Sequence, residues 1–338
     1  MPVCLDRGGK SPADFRASDA NCVDIGLINN MPDSALEATE RQFLALLDAA
    51  AEGIVVRLSL YALPDVPRTD LGRHYLSRRY ARSDELWNRQ LDGLIVTGTE
   101  PHAPNLMHEP YWGSLTEVLE WADRSTHSTV WSCLAAHAAV LRFDGIGRQA
   151  LPEKRFGLFD CTRVADHHLT AGMPCRIPMP HSRWNDVSEA ALTSSGYRVL
   201  TQSEDAGVDM FAKQRKSLFV FFQGHPEYEA QSLLLEYRRD IGRFLRRERE
   251  TYPPLPRGYF DDDTVELLAS VRARALSNRR EALLAAFPTA LLAGSVSNTW
   301  RPAAALIYRN WLSYICAQKD RRLRSWRSRQ PLNRVEAV

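Results

Sequence analysis

Short apolar runs alternate with segments of helical periodicity along the first two thirds of the chain. Apolar residues recur at helical spacing in three segments, which are 34–51, 113–123 and 134–141. Five apolar runs of strand length are interspersed with them, at 23–28, 54–60, 92–98, 128–132 and 218–223. Strands that alternate with helices predict an α/β fold, in which a parallel sheet is flanked by helices on both faces.

The carboxyl ends of the predicted strands are the expected ligand-binding edge of such a sheet. Residues 29–31, residues 97–100 and Cys133 each follow a predicted strand directly, so we expect them to be neighbours in space. Cys133 lies at a tight strand-to-helix junction, where the free N–H groups of the first helical turn favour a thiolate and can stabilise an oxyanion. A buried structural cysteine is the alternative at this position, because free cysteine is among the most buried residue types.

A second motif follows the strand 218–223, where the chain reads Gly-His-Pro-Glu-Tyr. This sequence places the imidazole of His225 at the same edge of the sheet. Glu227 is two residues further on, so in an extended segment its carboxylate projects to the same side as His225. A cysteine nucleophile needs a base that is oriented by a third group, and these residues supply both. The coincidence of the three positions favours catalysis over a structural role for Cys133.

Charge is spread unevenly over the 338 residues, although the net charge is only +2. Residues 319–338 contain seven basic and two acidic residues, which leaves the rest of the chain slightly acidic. Clustered cations are typical of nucleic-acid arms. We expect instead a solvated, partly disordered basic tail, since chain termini are commonly poorly ordered.

The remaining composition predicts a cytoplasmic protein without a membrane span. No apolar run approaches the roughly 18 residues that a membrane helix needs, and residues 1–20 lack the apolar segment of a secretory signal. The six cysteines form no C-x-x-C pair, which is typical of reduced thiols. The histidines lack metal-ligand spacing and no glycine-rich phosphate loop occurs, so we expect neither a metal nor a nucleotide cofactor.

Together these motifs resemble the homoserine O-succinyltransferases and O-acetyltransferases of methionine biosynthesis, a branch of the class I glutamine amidotransferase-like proteins. The resembling segments are spread over most of residues 22–318. They are INNMP (28–32), TERQFLALL (39–47), DGLIVTG (92–98), YW (111–112), VLEWAD (118–123), EKRFGLF (153–159), PHSRWND (180–186), GHPEYEAQSL (224–233), YRRD (237–240), NTWRP (298–302) and NWLSY (310–314).

The resemblance implies an acyl transfer through an acyl-enzyme. In this interpretation Cys133 takes the acyl group from a CoA thioester, and His225 acts as general base and acid, oriented by Glu227. Arg239, in the YRRD segment, corresponds to the arginine that holds the amino-acid carboxylate, a role that suits a guanidinium. The acceptor is then the hydroxyl of homoserine or a related amino acid, and acyl-CoA is a co-substrate rather than a cofactor.

Five further residues are implied in substrate or acyl recognition. They are Lys154, Ser182, Arg183, Glu100 and His102. For Arg183 and Lys154 a salt-bridged loop is the alternative, since most charged residues face water. His102 occupies a position that the family associates with acyl choice, where glutamate goes with acetyl and glycine with succinyl. A histidine there leaves the acyl group open.

The chain departs from the family at other positions as well. His137 stands where a glutamine is usual, and a helical segment at 264–297 is longer than expected. We predict an N-terminal arm (1–20), a catalytic domain (21–260), a helical segment that completes it (261–318) and the basic tail (319–338). A homodimer that binds small molecules, and neither membranes nor nucleic acid, is expected.

Two alternatives to the acyltransferase remain. A glutaminase-type amidotransferase subunit shares the fold and the triad, although the usual G-x-C-x-G elbow is absent because Trp131 and Ala135 flank the turn. A non-catalytic binding protein with the same fold is the second alternative, since a fold alone does not define function.

Overall fold

The computed structural model describes residues 2–6 and 21–329, with side chains as far as residue 325. Ten strands in these residues form one sheet, in the order β1-β3-β2-β4-β5-β10-β9-β8-β6-β7. The strands are β1 (Val3–Asp6), β2 (Cys22–Ile28), β3 (Val55–Tyr61), β4 (Gly93–Val96), β5 (Ser128–Ser132), β6 (Gln149–Arg163), β7 (Arg176–Asp186), β8 (Arg198–Ser203), β9 (Gly207–Gln214) and β10 (Leu218–Phe222).

The sheet has a parallel part and an antiparallel part. Strands β1, β3, β2, β4, β5 and β10 pair in parallel, which confirms the predicted parallel sheet. Strands β9, β8, β6 and β7 continue it by antiparallel pairing. The sequence patterns did not predict these four strands. The two parts meet at β10, which is the strand that leads into the Gly-His-Pro-Glu motif.

Helices cover both faces of the parallel part, as predicted. The helices are α1 (Leu36–Ala50), α2 (Asp70–Arg79), α3 (Trp112–Ser125), α4 (Leu134–Asp144), α5 (Glu189–Ser194), α6 (Ser232–Leu245), α7 (Asp262–Ser277), α8 (Thr289–Ser295) and α9 (Arg301–Arg329). Neighbouring residues of one strand join different cores: Val130 of β5 packs in the cluster that holds α1 and α9, whereas Trp131 packs with α3 and α4. Because side chains alternate along a strand, this division indicates a sheet that is buried on both faces.

The predicted helical segment forms a third core with α6. Leu233 and Tyr237 of α6 are buried against Leu268 of α7 and Leu292 of α8. The long segment that follows the Gly-His-Pro-Glu motif therefore covers the buried face of α6. Among the described residues, no helix combines the length and the apolar character that crossing a membrane requires.

Two predicted boundaries differ from the observed elements. Residues 1–20 include strand β1, which pairs with β3, while residues 7–20 lie outside the described part. Helix α9 runs without a break past residue 318 to Arg329, and residues 330–338 of the predicted tail lie outside the described part. Lys319 is tied to the body, since its Nζ donates to the Asp92 carboxylate at 2.6 Å and to the Cys22 carbonyl at 2.8 Å.

Candidate active site

The pairing of β5 with β10 brings the two predicted motifs together. Their register aligns Ser132 with Phe222, so Cys133 and the residues that follow β10 leave the sheet at the same edge. The Cys133 N–H donates to the Phe222 carbonyl at 2.7 Å. The predicted proximity of the other strand ends is confirmed as well, because the Asn30 N–H donates to Thr97 Oγ1 at 2.8 Å.

The backbone at Cys133 has the form of a nucleophile elbow. Its φ is 53° and its ψ is −113°, a positive φ that a non-glycine residue rarely adopts and that is commonly kept at functional sites. The Cys133 carbonyl accepts the Ala136 N–H at 3.0 Å, which begins helix α4 directly after the elbow. The side chain is partly exposed, so this cysteine is not a buried core residue.

Gly98, which follows β4, allows the elbow to pack closely. A Cβ on this glycine would lie 2.8 Å from Leu134 Cβ and 2.9 Å from the Leu134 nitrogen. These distances are too short for any side chain. The glycine therefore brings the loop after β4 against the first turn of α4, beside the nucleophile.

His225 hydrogen-bonds with Glu227, and Cys133 is close enough to act on its imidazole. Its Nδ1 is 2.9 Å from Glu227 Oε1, and both residues are buried. Burial acts to lower the pKa of His225, but the Glu227 carboxylate and the neighbouring Cys133 raise that pKa well above its ordinary value. The backbone N–H of His225 donates to the Pro180 carbonyl of β7 at 2.8 Å, which anchors the loop that follows β10. The geometry is that of a nucleophile, a base and an orienting carboxylate.

Three of the predicted substrate residues converge on two carboxylates of α6. The Lys154 Nζ lies 2.8 Å from Asp240 Oδ2 and 3.5 Å from Glu236 Oε2. Arg239 Nη2 lies 2.9 Å from Asp240 Oδ1, and the Ser182 hydroxyl donates to Glu236. Sequence reasoning missed both carboxylates, although residues four apart share one face of a helix and the motif YRRD contains one of them.

Tyr228 connects this charged cluster to the triad. Its ring stacks on the His225 imidazole with centroids 4.3 Å apart and planes 16° apart, and its hydroxyl donates to Glu236. Burial, then the neighbouring Glu236 carboxylate, raises the pKa of Tyr228 well above its ordinary value, so the hydroxyl keeps its proton. The stack and the hydrogen bond place the catalytic imidazole and the cluster on α6 in one network.

Arg183 is held inside the protein by its neighbours on β7 and beyond. Its Nε donates to His181 Nδ1 at 3.3 Å and its Nη1 to the Asn185 carbonyl at 2.7 Å. Its Nη1 also lies 3.1 Å from the Asp186 carboxylate, and its Nη2 donates to the Ala206 carbonyl. These contacts favour the salt-bridged alternative for Arg183, and its role toward substrate stays a prediction.

Glu100 and His102 lie on the loop after β4. The Glu100 carboxylate forms a two-point ion pair with Arg243 of α6, at 3.0 and 2.8 Å. The Arg243 hydrogen bonds hold the pKa of Glu100 below its usual value, although burial opposes this. The side chain of His102 is exposed, while its backbone N–H donates to Glu109 Oε1 at 2.7 Å. The structure thus pairs Glu100 with Arg243 of α6, whereas the imidazole of His102 is exposed to solvent.

His137 is buried one turn into α4, close to the end of β10. Its Nε2 is 2.8 Å from Gln223 Oε1, and Gln223 Nε2 donates to the Val208 carbonyl at 2.7 Å. Burial lowers the pKa of His137 to about 4, so its ring is neutral and Nε2 is the donor. His137 therefore orients the glutamine next to the catalytic loop, a contact that sequence reasoning missed.

One group in the described residues has metal-ligand geometry, namely Cys161, His181 and Asp209, whose ligand atoms all lie within 4.8 Å of one another. Burial raises the pKa of the Cys161 thiol far above its usual value, and the neutral thiol is a weak metal ligand. A Cβ on Gly224 would lie 2.5 Å from Asp209 Oδ1, so the group packs directly beneath the catalytic loop. The absence of a metal stays a prediction.

Known proteins are similar to this chain. The chain is 50% identical to a homoserine O-succinyltransferase of Methylorubrum extorquens, over 86% of each chain. It is 46% identical to a homoserine O-succinyltransferase of Rhodopseudomonas palustris, over 94% of this chain and 95% of the relative. Among solved structures, it is similar to a glutamine amidotransferase of Thermotoga maritima, with 10% identity, a TM-score of 0.47, and coverage of 87% of this chain and 98% of that one.

The sequence model of the family described as homoserine O-succinyltransferase matches residues 11–322. This match spans nearly the whole chain and includes the elbow, the catalytic histidine and the cluster on α6. The two relatives named above carry the same description and cover most of the chain. The chain belongs to the homoserine O-succinyltransferase family.

Proposed function

We propose that this protein transfers a succinyl group from succinyl-CoA to the side-chain hydroxyl of homoserine through a thioester on Cys133. The observation that carries the proposal is the Cys133–His225–Glu227 arrangement at the carboxyl edge of the sheet. Relatives up to 50% identical over most of the chain, named homoserine O-succinyltransferase, support the acceptor and the donor.

The first half-reaction forms the acyl-enzyme. The Cys133 thiolate attacks the thioester carbonyl, the bond from that carbonyl to the CoA sulfur breaks, and CoA leaves with a proton from the His225 imidazolium. In the second half-reaction His225 takes the proton of the homoserine hydroxyl as its oxygen attacks the new thioester. The Cys133 thiolate then leaves, and the imidazolium–thiolate pair is restored. Glu227 stabilises the imidazolium in the resting pair.

The decisive experiment is intact-mass measurement of the protein after incubation with a panel of acyl-CoAs. We expect an adduct with the mass of one succinyl group, which homoserine removes with formation of O-succinylhomoserine. Double-reciprocal plots at several homoserine concentrations should be parallel, as for two half-reactions at one site. Ammonia release from glutamine without CoA release from any donor would establish the amidotransferase alternative. Homoserine binding without either release would establish a non-catalytic homologue.

Other expectations belong to the same proposal. Arg239 binds the carboxylate of homoserine, for which its partly exposed guanidinium on α6 is suited. Acyl-CoA and homoserine suffice as substrates, without a metal or another cofactor. The cytoplasmic location and the homodimer stay predictions.

A further inference from the structure

A second arginine near the ligand edge forms no ion pair within the described part of the chain. Arg148 stands in the loop between α4 and β6, and its Nη2 donates to the carbonyls of Ala103 and Pro104 at 3.3 and 3.1 Å. This is the loop after β4 that begins at Gly98, packed against the elbow. The arginine is therefore fastened to the same loop that borders the nucleophile.

A second guanidinium nitrogen of Arg148, Nη1, is unused within the described residues. Its Nη1 is buried and has no hydrogen-bond partner among the described residues. Its guanidinium also has no carboxylate within ion-pair distance in the described part of the chain, unlike Arg239 with Asp240 or Arg243 with Glu100. A buried donor that is left unpaired is destabilising, so such a group calls for an explanation, and a ligand that completes it is one.

The immediate neighbours of Arg148 also include buried polar atoms without a hydrogen-bond partner in the described residues. The charged and titratable groups that face it are Tyr111, Glu109 and Cys133, which act to raise its pKa, while burial lowers it below its usual value. The Tyr111 hydroxyl is buried without a hydrogen-bond partner in the described residues. Glu109 Oε1 accepts the N–H groups of His102 and Ala103 at 2.7 and 2.6 Å. Glu109 thus organises the loop. Three buried atoms of this group have no hydrogen-bond partner in the described residues, namely the donors Arg148 Nη1 and Tyr111 Oη and the acceptor Glu109 Oε2.

We infer that Arg148, together with the Tyr111 hydroxyl, binds the free carboxylate of the succinyl group while its other end is attached to Cys133. This inference rests on the proposed function and names the determinant of its donor. A succinyl group carries a carboxylate two methylene groups from its reacting carbonyl, whereas acetyl and butyryl groups carry none. The Arg148 guanidinium is held on the loop that packs against the elbow, and its unpaired Nη1 is a complement of that carboxylate.

Three other cations that the resemblance assigns to substrate recognition are already paired within the protein. Lys154 is paired with Asp240 and Glu236, and Arg183 is surrounded by carbonyls and the Asp186 carboxylate. Arg239 shares Asp240 with Lys154. An incoming succinyl carboxylate meets an unpaired donor at Arg148, whereas a carboxylate that binds Arg239, as proposed for homoserine, competes with Asp240.

The test compares succinyl-CoA with butyryl-CoA, an uncharged donor with the same number of acyl carbons. For Arg148→Met we expect the rate of adduct formation with succinyl-CoA to fall about ten- to hundredfold, as for loss of a hydrogen bond to a charged group. The rate with butyryl-CoA should stay the same or rise. Arg142→Met is the matched control, because Arg142 is exposed on α4 and pairs only with Glu120 among the described residues; it should leave both rates unchanged.

A second variant covers the case in which Arg148→Met does not fold. Tyr111→Phe removes only the hydroxyl and should reduce the rate with succinyl-CoA severalfold while sparing butyryl-CoA. An equal loss with both donors in the variants that fold, or an unchanged preference, would overturn the inference. Failure of the proposed function is separate, since the wild-type protein would then give no adduct with any acyl-CoA.

Discussion

The triad and the charged cluster on α6 are built in different ways. Cys133 and His225 each lie at the end of one buried strand, and a single strand pairing brings them together. The cluster draws Lys154 from β6, Ser182 from β7, and Glu236 and Asp240 from α6. Under the proposed function, acyl transfer at the triad therefore depends on the backbone geometry at two strand ends, whereas substrate recognition by the cluster depends on packing between distant parts of the chain.

This difference predicts separable effects of mutation. Changes at the elbow should stop the formation of the acyl-enzyme, whereas changes in the cluster should leave that step intact and weaken the second half-reaction. Among the residues described above, Tyr228 alone contacts both the triad and the cluster. Its ring stacks on the His225 imidazole, and its hydroxyl donates to the Glu236 carboxylate. Five predictions test the separation, and they are ordered by the size of the expected effect.

The largest effect is expected for Cys133→Ala. Without the thiolate no acyl-enzyme forms, so the adduct should vanish and turnover should fall by ~10³-fold or more, as for loss of a catalytic nucleophile. Intact mass and CoA release measure the two results. Cys175→Ala is the control, since Cys175 is exposed and lies outside the site. Wild-type turnover by Cys133→Ala would show that another group carries the reaction.

Glu227→Gln should reduce turnover by about 10²- to 10⁴-fold, because it removes the group that orients His225. Glu227 raises the pKa of His225, so the imidazolium that stabilises the Cys133 thiolate persists to higher pH in the wild type. In the variant that pKa falls, so the imidazolium that would accompany the Cys133 thiolate is lost at lower pH. The pH profile of iodoacetamide alkylation at Cys133 should therefore shift upward, and a profile that does not move would contradict this coupling.

Arg239→Lys should raise the KM for homoserine about tenfold or more, since the bidentate fork is lost while the charge is kept. Formation of the succinyl adduct in the absence of homoserine should keep its wild-type rate. Steady-state kinetics and single-turnover mass measurement separate the two steps. An unchanged KM would show that Arg239 does not bind homoserine. Slower formation of the succinyl adduct would show that the cluster on α6 also affects the triad.

The sequence predicted the parallel part of the fold better than the antiparallel part, for physical reasons. Buried parallel strands are continuous apolar runs, such as those of β5 and β10. Strand β7 contains Pro178 and Pro180, which argue against a strand unless it lies at an edge, and β7 is an edge strand. Strand β6 is rich in polar residues and its pairing with β7 has an irregular register.

The proximity of Cys133 and His225 was predictable because each of them follows a strand within a short motif, while their catalytic roles stay predictions. The partners on α6 were not predictable, since Glu236 and Asp240 gain their meaning from Lys154 and Ser182, which lie more than fifty residues away in sequence. Arg148 has no motif of its own. Its significance comes only from the unpaired donor that the fold leaves beside the elbow.

Gly98→Ala tests the packing of the elbow directly. The new Cβ would lie 2.8 Å from Leu134 Cβ, so the loop or the helix must move, at an expected loss of about 1–3 kcal/mol in the free energy of unfolding. The rate of adduct formation should fall with it. Gly113→Ala is the matched control, because nothing lies within 4 Å of its added Cβ and it is in helix α3; it should stabilise the protein by about 0.5–1 kcal/mol. Denaturant unfolding measures both, and equal stabilities would contradict the close packing at Gly98.

The smallest effect is expected for His137→Gln. The neutral imidazole donates from Nε2 to Gln223 Oε1 at 2.8 Å, and its Nδ1 is buried without a partner in the described residues. A glutamine amide can supply the same donor, so the change should alter the free energy of unfolding by less than about 1.5 kcal/mol.

His137→Leu is the contrasting variant, because it removes the donor and leaves the buried side-chain carbonyl of Gln223 unpaired. This should cost about 1–3 kcal/mol in the free energy of unfolding. It should also slow the acyl-enzyme step, since Gln223 precedes the loop that carries His225. The two variants differ in whether residue 137 can donate to Gln223, and equal losses in denaturant unfolding would mean that His137 does not contribute through this hydrogen bond.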